Sequence, residues 1–473
     1  MEKNFDSEGQ RTHYPFRRVY LVRVCKKMAK NQKKIKVGFV SLGCSKNQID
    51  TEMMMAHLAE DGFEITPDAM EADVIVINTC GFIGDAKQES VDTIMEMAEL
   101  KKAGSLKKLI VTGCLAERYR ESILQELPDV DAVLGVGSVH DIAQAVKEAF
   151  KEDSVAVFND PETCELGGER ILTTPSYMAY LRIAEGCNNR CTYCVIPSIR
   201  GKYRSRTMES IIEEAKKLEK QGVKELNLIA QDTSSYGSDL YGKLMLPELL
   251  RRLSSETQIP WFRLFYCYPD KITDELIFEI RDNPRVLHYI DIPIQHINDT
   301  VLKRMNRHGN RKLIEDLLSR LRTNIPDMVI RTTAIVGFPG ETEEQFNELL
   351  DFVVTAKFNR FGAFSYSREE GTPAHDMADQ VDEDEKLDRY EAVMSAQADV
   401  SLEYQRSRIG TRTLVLCEGY DGEQYVGRDY ANAPDIDGKI YFSSKHSVRE
   451  GDFVEVEISD ADDYDLFGKA VEK

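Results

Sequence analysis

Three of the ten cysteines in this 473-residue chain fall close together, as Cys187-Asn-Asn-Arg-Cys191-Thr-Tyr-Cys194. Thiolates at that spacing turn toward one centre and can wrap one corner of an iron–sulfur cluster, leaving a fourth iron open. Structural zinc wants four ligands, and no fourth Cys or His lies nearby in the sequence. Three further cysteines, Cys44, Cys80 and Cys114, stand about 35 positions apart, too far for one loop. Taken singly, each reads as a small buried hydrophobe. Each, however, closes an apolar run of strand length, and the carboxyl ends of parallel strands share one sheet edge where distant residues meet. That placement makes them a second three-thiolate set, again with an iron free, here for exogenous sulfur. Cys25, Cys164, Cys267 and Cys417 have no such companions and read as structural.

The elements that must position these thiols follow from the apolar pattern. Lys36–Cys44, Asp73–Cys80 and Lys108–Cys114 read as buried strands, with helices over Ile49–Asp61, Asp85–Lys101 and Glu117–Leu127. Apolar strands alternating with helices predict a Rossmann-like parallel sheet covered on both faces, spanning residues 35–152. A turn-rich stretch from Asp160 to Thr174 reads as a linker. Candidate strands then recur at Tyr177–Ala184, Glu225–Ala230, Trp261–Tyr266, Leu287–Pro293, Met328–Val336 and Arg360–Tyr366, most followed by helices such as Met208–Gln221, Thr273–Arg281 and Thr342–Thr355. Six such units over residues 173–404 predict a partial (β/α)6 barrel, active at its carboxyl strand ends. A charged helix from Glu383 to about Ile409 closes that part. Residues 406–473, with short strands at Arg412–Glu418, Gln424–Arg428, Lys439–Phe442 and Phe453–Ile458, predict a small β-barrel.

Composition sets the outer bounds. Hydrophobic residues at 42% and charged residues at 30% describe a soluble globular chain. No segment approaches the roughly 20 apolar residues of a membrane span. Residues 1–34 form a basic tail, expected to be disordered, without the apolar stretch of a secretory signal. Met28, just before the first expected strand, is an alternative start. Cysteines in a chain without a secretion signal are ligands or catalysts more readily than disulfides, so a cytoplasmic protein is expected. A net charge of -20 disfavours nucleic acid and suits a basic protein partner.

CxxxCxxC with Tyr193 before its third cysteine resembles the radical S-adenosylmethionine (SAM) superfamily, as does Val336-Gly-Phe-Pro-Gly-Glu341. The whole pattern from residue 35 to 473 resembles the methylthiotransferase family, with a cluster domain, a radical SAM barrel and a C-terminal TRAM domain. The resemblance implies two 4Fe–4S clusters, the first on Cys44, Cys80 and Cys114 and the second on Cys187, Cys191 and Cys194. It also implies SAM as both radical source and methyl donor. Tyr193, Gln231 and Arg331 are candidate cofactor contacts at strand ends, and Gln295 and His296 are candidate catalytic residues, His296 as a proton relay. A plain structural role is open for each.

Two branches of that family differ in substrate: one modifies a transfer RNA adenosine, the RimO branch an aspartate of the small-subunit ribosomal protein S twelve. Ser41–Asn47, Asp291–His296, Arg331–Gly340 and Ala433–Gly438 look like the RimO branch, with Ser45 a small departure where many of its members have Pro. Residues 406–473 hold nine Lys/Arg and fifteen Asp/Glu, a balance that suits a basic ribosomal protein, free or in an assembling ribosome, over phosphates. The expectation is an enzyme, a monomer, that adds a methylthio group to an aspartate β-carbon. An iron–sulfur carrier or ribosome assembly factor is the alternative of another class.

Overall fold

The alternation of strands and helices is realised in a computed structural model that describes residues 34–471. The basic tail, Cys25 and the alternative start therefore lie outside the described residues. The chain falls into two compact units. One runs to Thr173 and includes Ser198–Arg200; the other holds Thr174–Pro197 and everything from Gly201 onward.

The first unit is built on six parallel strands, β1 (Lys36–Ser41), β2 (Glu64–Ile65), β3 (Val74–Thr79), β4 (Lys108–Gly113), β5 (Ala132–Leu134) and β6 (Val155–Val157), ordered β2-β1-β3-β4-β5-β6. Every residue of Val74-Ile-Val-Ile-Asn-Thr79 is buried, as a central strand covered on both faces requires. The order reverses direction at β1, next to β3, and such a reversal opens a crevice outside the carboxyl strand ends. Helices Ser45–Glu60 and Gly84–Lys102 follow β1 and β3. The helix expected over Glu117–Leu127 is instead two short pieces, Cys114–Tyr119 and Ser122–Glu126, because Arg120 sits between them at φ +47°.

In the second unit β7 (Met178–Arg182) is followed by a small antiparallel pair, β8 (Ala184–Glu185) and β9 (Arg204–Ser205). Strands β10 (Glu225–Ile229), β11 (Trp261–Leu264), β12 (Val286–Asp291), β13 (Val329–Val336) and β14 (Arg360–Ser365) complete a six-stranded parallel sheet ordered β14-β13-β12-β11-β10-β7. That is the expected partial barrel. The long helix Glu383–Ser407 leads to a closed barrel of β15 (Arg412–Tyr420), β16 (Tyr425–Arg428), β17 (Ile440–Ser443), β18 (Phe453–Ala461) and β19 (Leu466–Ala470). Its core is Val415, Cys417, Ile440, Phe442, Val456, Ile458 and Leu466, so Cys417 is structural as expected. The closing strand β19 is one the sequence reading lacked.

The small barrel does not separate from the large one, because buried charges join them. Glu225, the first residue of β10, takes Arg263 at 2.8 Å and Arg428 at 2.6 Å, all three fully buried. Burial would push the Glu225 carboxyl up, but the Arg428 and Arg263 guanidiniums overcome this and hold it below the usual range. The segment after Arg428 runs across neighbouring strands. Arg263 donates to the Tyr430 and Asp429 carbonyls, Arg360 to that of Ala431, and the Tyr289 hydroxyl to Asp437. The Ala433–Gly438 motif thus docks near the strand beginnings. Among the described residues no helix is long and apolar enough to cross a membrane.

Candidate iron–sulfur sites

Strands β1, β3 and β4 are neighbours in register, with Ser41 beside Asn78 and Thr79 beside Gly113. Cys80 and Cys114 follow the last residues of β3 and β4 directly, and Cys44 follows β1 after Leu42 and Gly43. Two glycines permit the approach. A side chain on Gly43 (φ +84°) would lie 2.9 Å from Cys80 Cβ, and one on Gly113 (φ +94°) 2.5 Å from the Thr79 carbonyl. Asn47 stitches the strand ends together: its amide donates to Leu42 O at 3.0 Å and Thr79 O at 2.9 Å. Cys114 Sγ stands 3.5 Å from Asn47 Oδ1. Arg200, buried in the same unit, donates to Asn47 Oδ1 at 2.6 Å, pairs with Asp50 at 2.7 Å and reaches Cys114 Sγ at 3.4 Å. Cys44 is exposed, Cys80 half-buried and Cys114 buried, so the set opens outward on one side.

The second set follows β7 and β8 on one loop. Cys187 N–H donates to Gly201 O, Thr192 N–H to Met305 O and the Asn306 amide to Arg190 O, which pins the loop at both ends. Arg190 takes a left-handed φ of +50° within it. Ile196 N–H lies 3.4 Å from Cys194 Sγ. Cys191 is buried, with Tyr268 Oη 2.8 Å from its sulfur and Arg307 Nη1 3.9 Å away.

Three thiols in each set influence one another. Burial first, then neighbouring cysteines, pushes the Cys80 and Cys194 thiols up; burial also raises Cys114, against the pull of Arg200, and Cys187. Metal coordination overturns that resistance, since a bound thiol ionises outright. Among the described residues no three His, Cys, Asp or Glu converge on a single metal ion. A three-thiol donor set suits a multi-iron cluster, whose ligands sit on separate irons.

The remaining candidates divide. Tyr193, within the cysteine loop, packs against the buried cluster of Val301, Met305, Phe338, Tyr366 and Ala374. Gln231, two residues past β10, donates to Glu185 while its Oε1 is buried without a hydrogen-bond partner. Gln295 holds a left-handed φ of +70° and its Oε1 is likewise buried and unpartnered. Both amide oxygens are therefore open to a hydrogen bond from a bound molecule. Arg331 requires correction. It is the third residue of the eight in β13, not a strand end, and it pairs with Asp291 at 3.0 Å and lies 3.9 Å from Asp437. His296 is fully buried, its Nδ1 accepting from Asn298 N–H and its Nε2 3.6 Å from Glu341. Burial, with Arg389 nearby, depresses its pKa to about 3, so the ring is neutral and sealed, unlike a relay. Glu341 in turn accepts from Gly337 N–H and Arg389, fixing the Gly337–Glu341 turn. Asn47, Arg200, Tyr268 and Arg307 were missed as site residues, and only Asn47 carried a signal, inside the Ser41–Asn47 motif.

A cluster domain at a parallel-sheet edge, a six-stranded radical SAM barrel and a terminal β-barrel together define a radical SAM methylthiotransferase. Residues 36–135 match the uncharacterized protein family UPF0004, 181–353 the radical SAM superfamily and 409–471 the TRAM domain. The ribosomal protein uS12 methylthiotransferase RimO of Thermoanaerobacter sp. (strain X514) is 51% identical over 92% of this chain and 99% of its own length. That of Geobacter sulfurreducens is 49% identical over 93% of this chain and 99% of its own. In fold the chain is similar to the radical SAM methyltransferase TsrM of Kitasatospora setae, with TM-score 0.52 at 15% identity, covering 82% of this chain and 81% of that one. The chain belongs to the ribosomal protein uS12 methylthiotransferase RimO family. It is an enzyme whose cofactors are 4Fe–4S clusters, two in this family, and SAM.

Proposed function

We propose that this chain adds a methylthio group to the β-carbon of an aspartate of ribosomal protein uS12, acting as a monomer in the cytoplasm. The observation that carries this is the pair of three-cysteine sets, each at the carboxyl ends of strands, in a chain 51% identical to a uS12 methylthiotransferase. Cys44, Cys80 and Cys114 would hold one cluster and Cys187, Cys191 and Cys194 the other. Bound clusters and SAM supply one-electron chemistry for C–H activation, together with the sulfur and methyl that are transferred. The protein's part is to hold thiolates, exclude water and orient. Gln231 and Gln295 offer their unpartnered amide oxygens to SAM or substrate, and Tyr193 braces the cysteine loop against the Gly337–Glu341 turn. The nine Lys/Arg against fifteen Asp/Glu of residues 406–473 favour a basic ribosomal protein. Three domains, at 35–152, 173–404 and 406–473, divide these tasks.

Deleting the gene and weighing tryptic peptides of uS12 tests the reading. Loss of the mass of one methylthio group from the aspartate peptide is expected. An unchanged peptide, with a methylthio group lost from transfer RNA nucleosides instead, would overturn it.

A further inference from the structure

Cys191 differs from the other two thiols of its loop in what surrounds it. Tyr268, four residues past β11, places its hydroxyl 2.8 Å from Cys191 Sγ. Against a thiolate ligand the phenol is the donor, because the sulfur carries no proton. Two cations lie over the ring. Arg307 sets its guanidinium carbon 3.7 Å from the ring centroid, and Lys271 its ammonium 5.3 Å from it. Cations over a phenol ring withdraw electron density and make its hydroxyl a stronger donor. Arg307 also stands 3.9 Å from Cys191 Sγ and donates to the Pro293 carbonyl, which fixes its place. Tyr268 is anchored by its own backbone N–H, donated to Ser234 Oγ at 2.8 Å. Tyr268 is 7% and Arg307 8% exposed, so water screens these interactions little.

We propose that Tyr268 and Arg307 are positioning residues that set the reduction potential of the SAM-side cluster through Cys191. Hydrogen bonds and positive charge beside a ligating sulfur stabilise the more electron-rich, reduced cluster and raise its potential. The hydrogen bonds are directed at one corner of the cluster, since among the described residues those of Tyr268 and Arg307 to a cysteine of this loop go to Cys191, while the Arg307 charge also acts on Cys194. The inference rests on Cys191 being a cluster ligand.

The test is a redox titration of the anaerobically reconstituted full chain, followed by electron paramagnetic resonance, with the second cluster identified by its response to added SAM. Tyr268→Phe keeps the ring and removes one donor; Arg307→Met removes the charge, and Arg307→Lys restores it. Iron content is expected to be unchanged. The ratio of reduced to oxidised second cluster at a fixed potential should fall on the order of tenfold in Arg307→Met and roughly fivefold in Tyr268→Phe. Arg307→Lys should recover part of the loss. Loaded variants with unchanged midpoints would overturn the inference. A Cys191→Ala chain that keeps its SAM-responsive cluster would instead remove the ligand assignment beneath it.

Discussion

Cys187, Cys191 and Cys194 come from one loop, pinned by Gly201, Met305 and Asn306. Cys44, Cys80 and Cys114 come from the ends of three adjacent strands and meet only because β1, β3 and β4 pair in register. The first arrangement is local and depends on turn geometry. The second is tertiary: a one-residue slip of β3 would move Cys80 along the edge and turn its neighbours to the other face. A single side chain, Asn47, guards against this by bonding the ends of two strands at once. Each set nevertheless places its most buried cysteine, Cys114 or Cys191, within reach of one buried arginine, Arg200 or Arg307.

The sharpest way to break the comparison is to remove one buried cysteine at a time. Cys114→Ala should lose about half the iron and sulfide of the reconstituted chain and keep the SAM-responsive signal, while Cys191→Ala should lose that signal and keep the other half. A Cys114→Ala protein with full iron would end the assignment of the first site. Next in size is Glu225→Gln, which leaves Arg263 and Arg428 without their buried carboxylate. It should cost about 3–5 kcal/mol in denaturant unfolding of the second unit and leave the first site's cluster loading unchanged. Because the folded Glu225 pKa lies below its ordinary value, the pair's contribution is complete above about pH 4.3 and fades as pH falls through the folded value.

Asn47→Ala isolates the tertiary site. Leaving the Leu42 and Thr79 carbonyls and Arg200 with fewer partners should destabilise the first unit by about 3 kcal/mol and lower iron retention there alone. The smallest effect concerns acid. Unfolded His296 takes a proton below about pH 6.5, whereas the buried ring resists it down to about pH 3. The native chain should therefore lose about 2 kcal/mol more stability than His296→Gln between pH 7 and pH 5. Equal losses would show the ring to be better solvated than its burial indicates.

Much of this was legible in the amino-acid order. Parallel strands buried on both faces, such as Val74–Thr79, write themselves as continuous apolar runs, and the CxxxCxxC loop needs no long-range contact to be read. The sheet-edge argument groups Cys44, Cys80 and Cys114 because Cys80 and Cys114 directly follow strong strands and Cys44 follows one after Leu42 and Gly43. What stayed hidden is tertiary. Arg331 was read as a strand-end residue, but its strand runs five residues further, and its partner Asp437 lies far away in the sequence. Strand β19 is short and follows the charged run Asp460–Asp465, so only closure of the barrel reveals it. Tyr268 and Arg307 carry no spacing signature toward Cys191; only the folded loops bring them there.

The docking of residues 429–438 against Arg263, Tyr289 and Arg360 has a consequence for protein engineering. The terminal β-barrel is not a detachable reader of substrates. Cutting after the helix Glu383–Ser407 would strand Arg263 and Glu225 beside an open seam. A chimera meant to swap specificity must carry the recipient's own 428–438 segment across the junction, or it will test solubility instead of recognition.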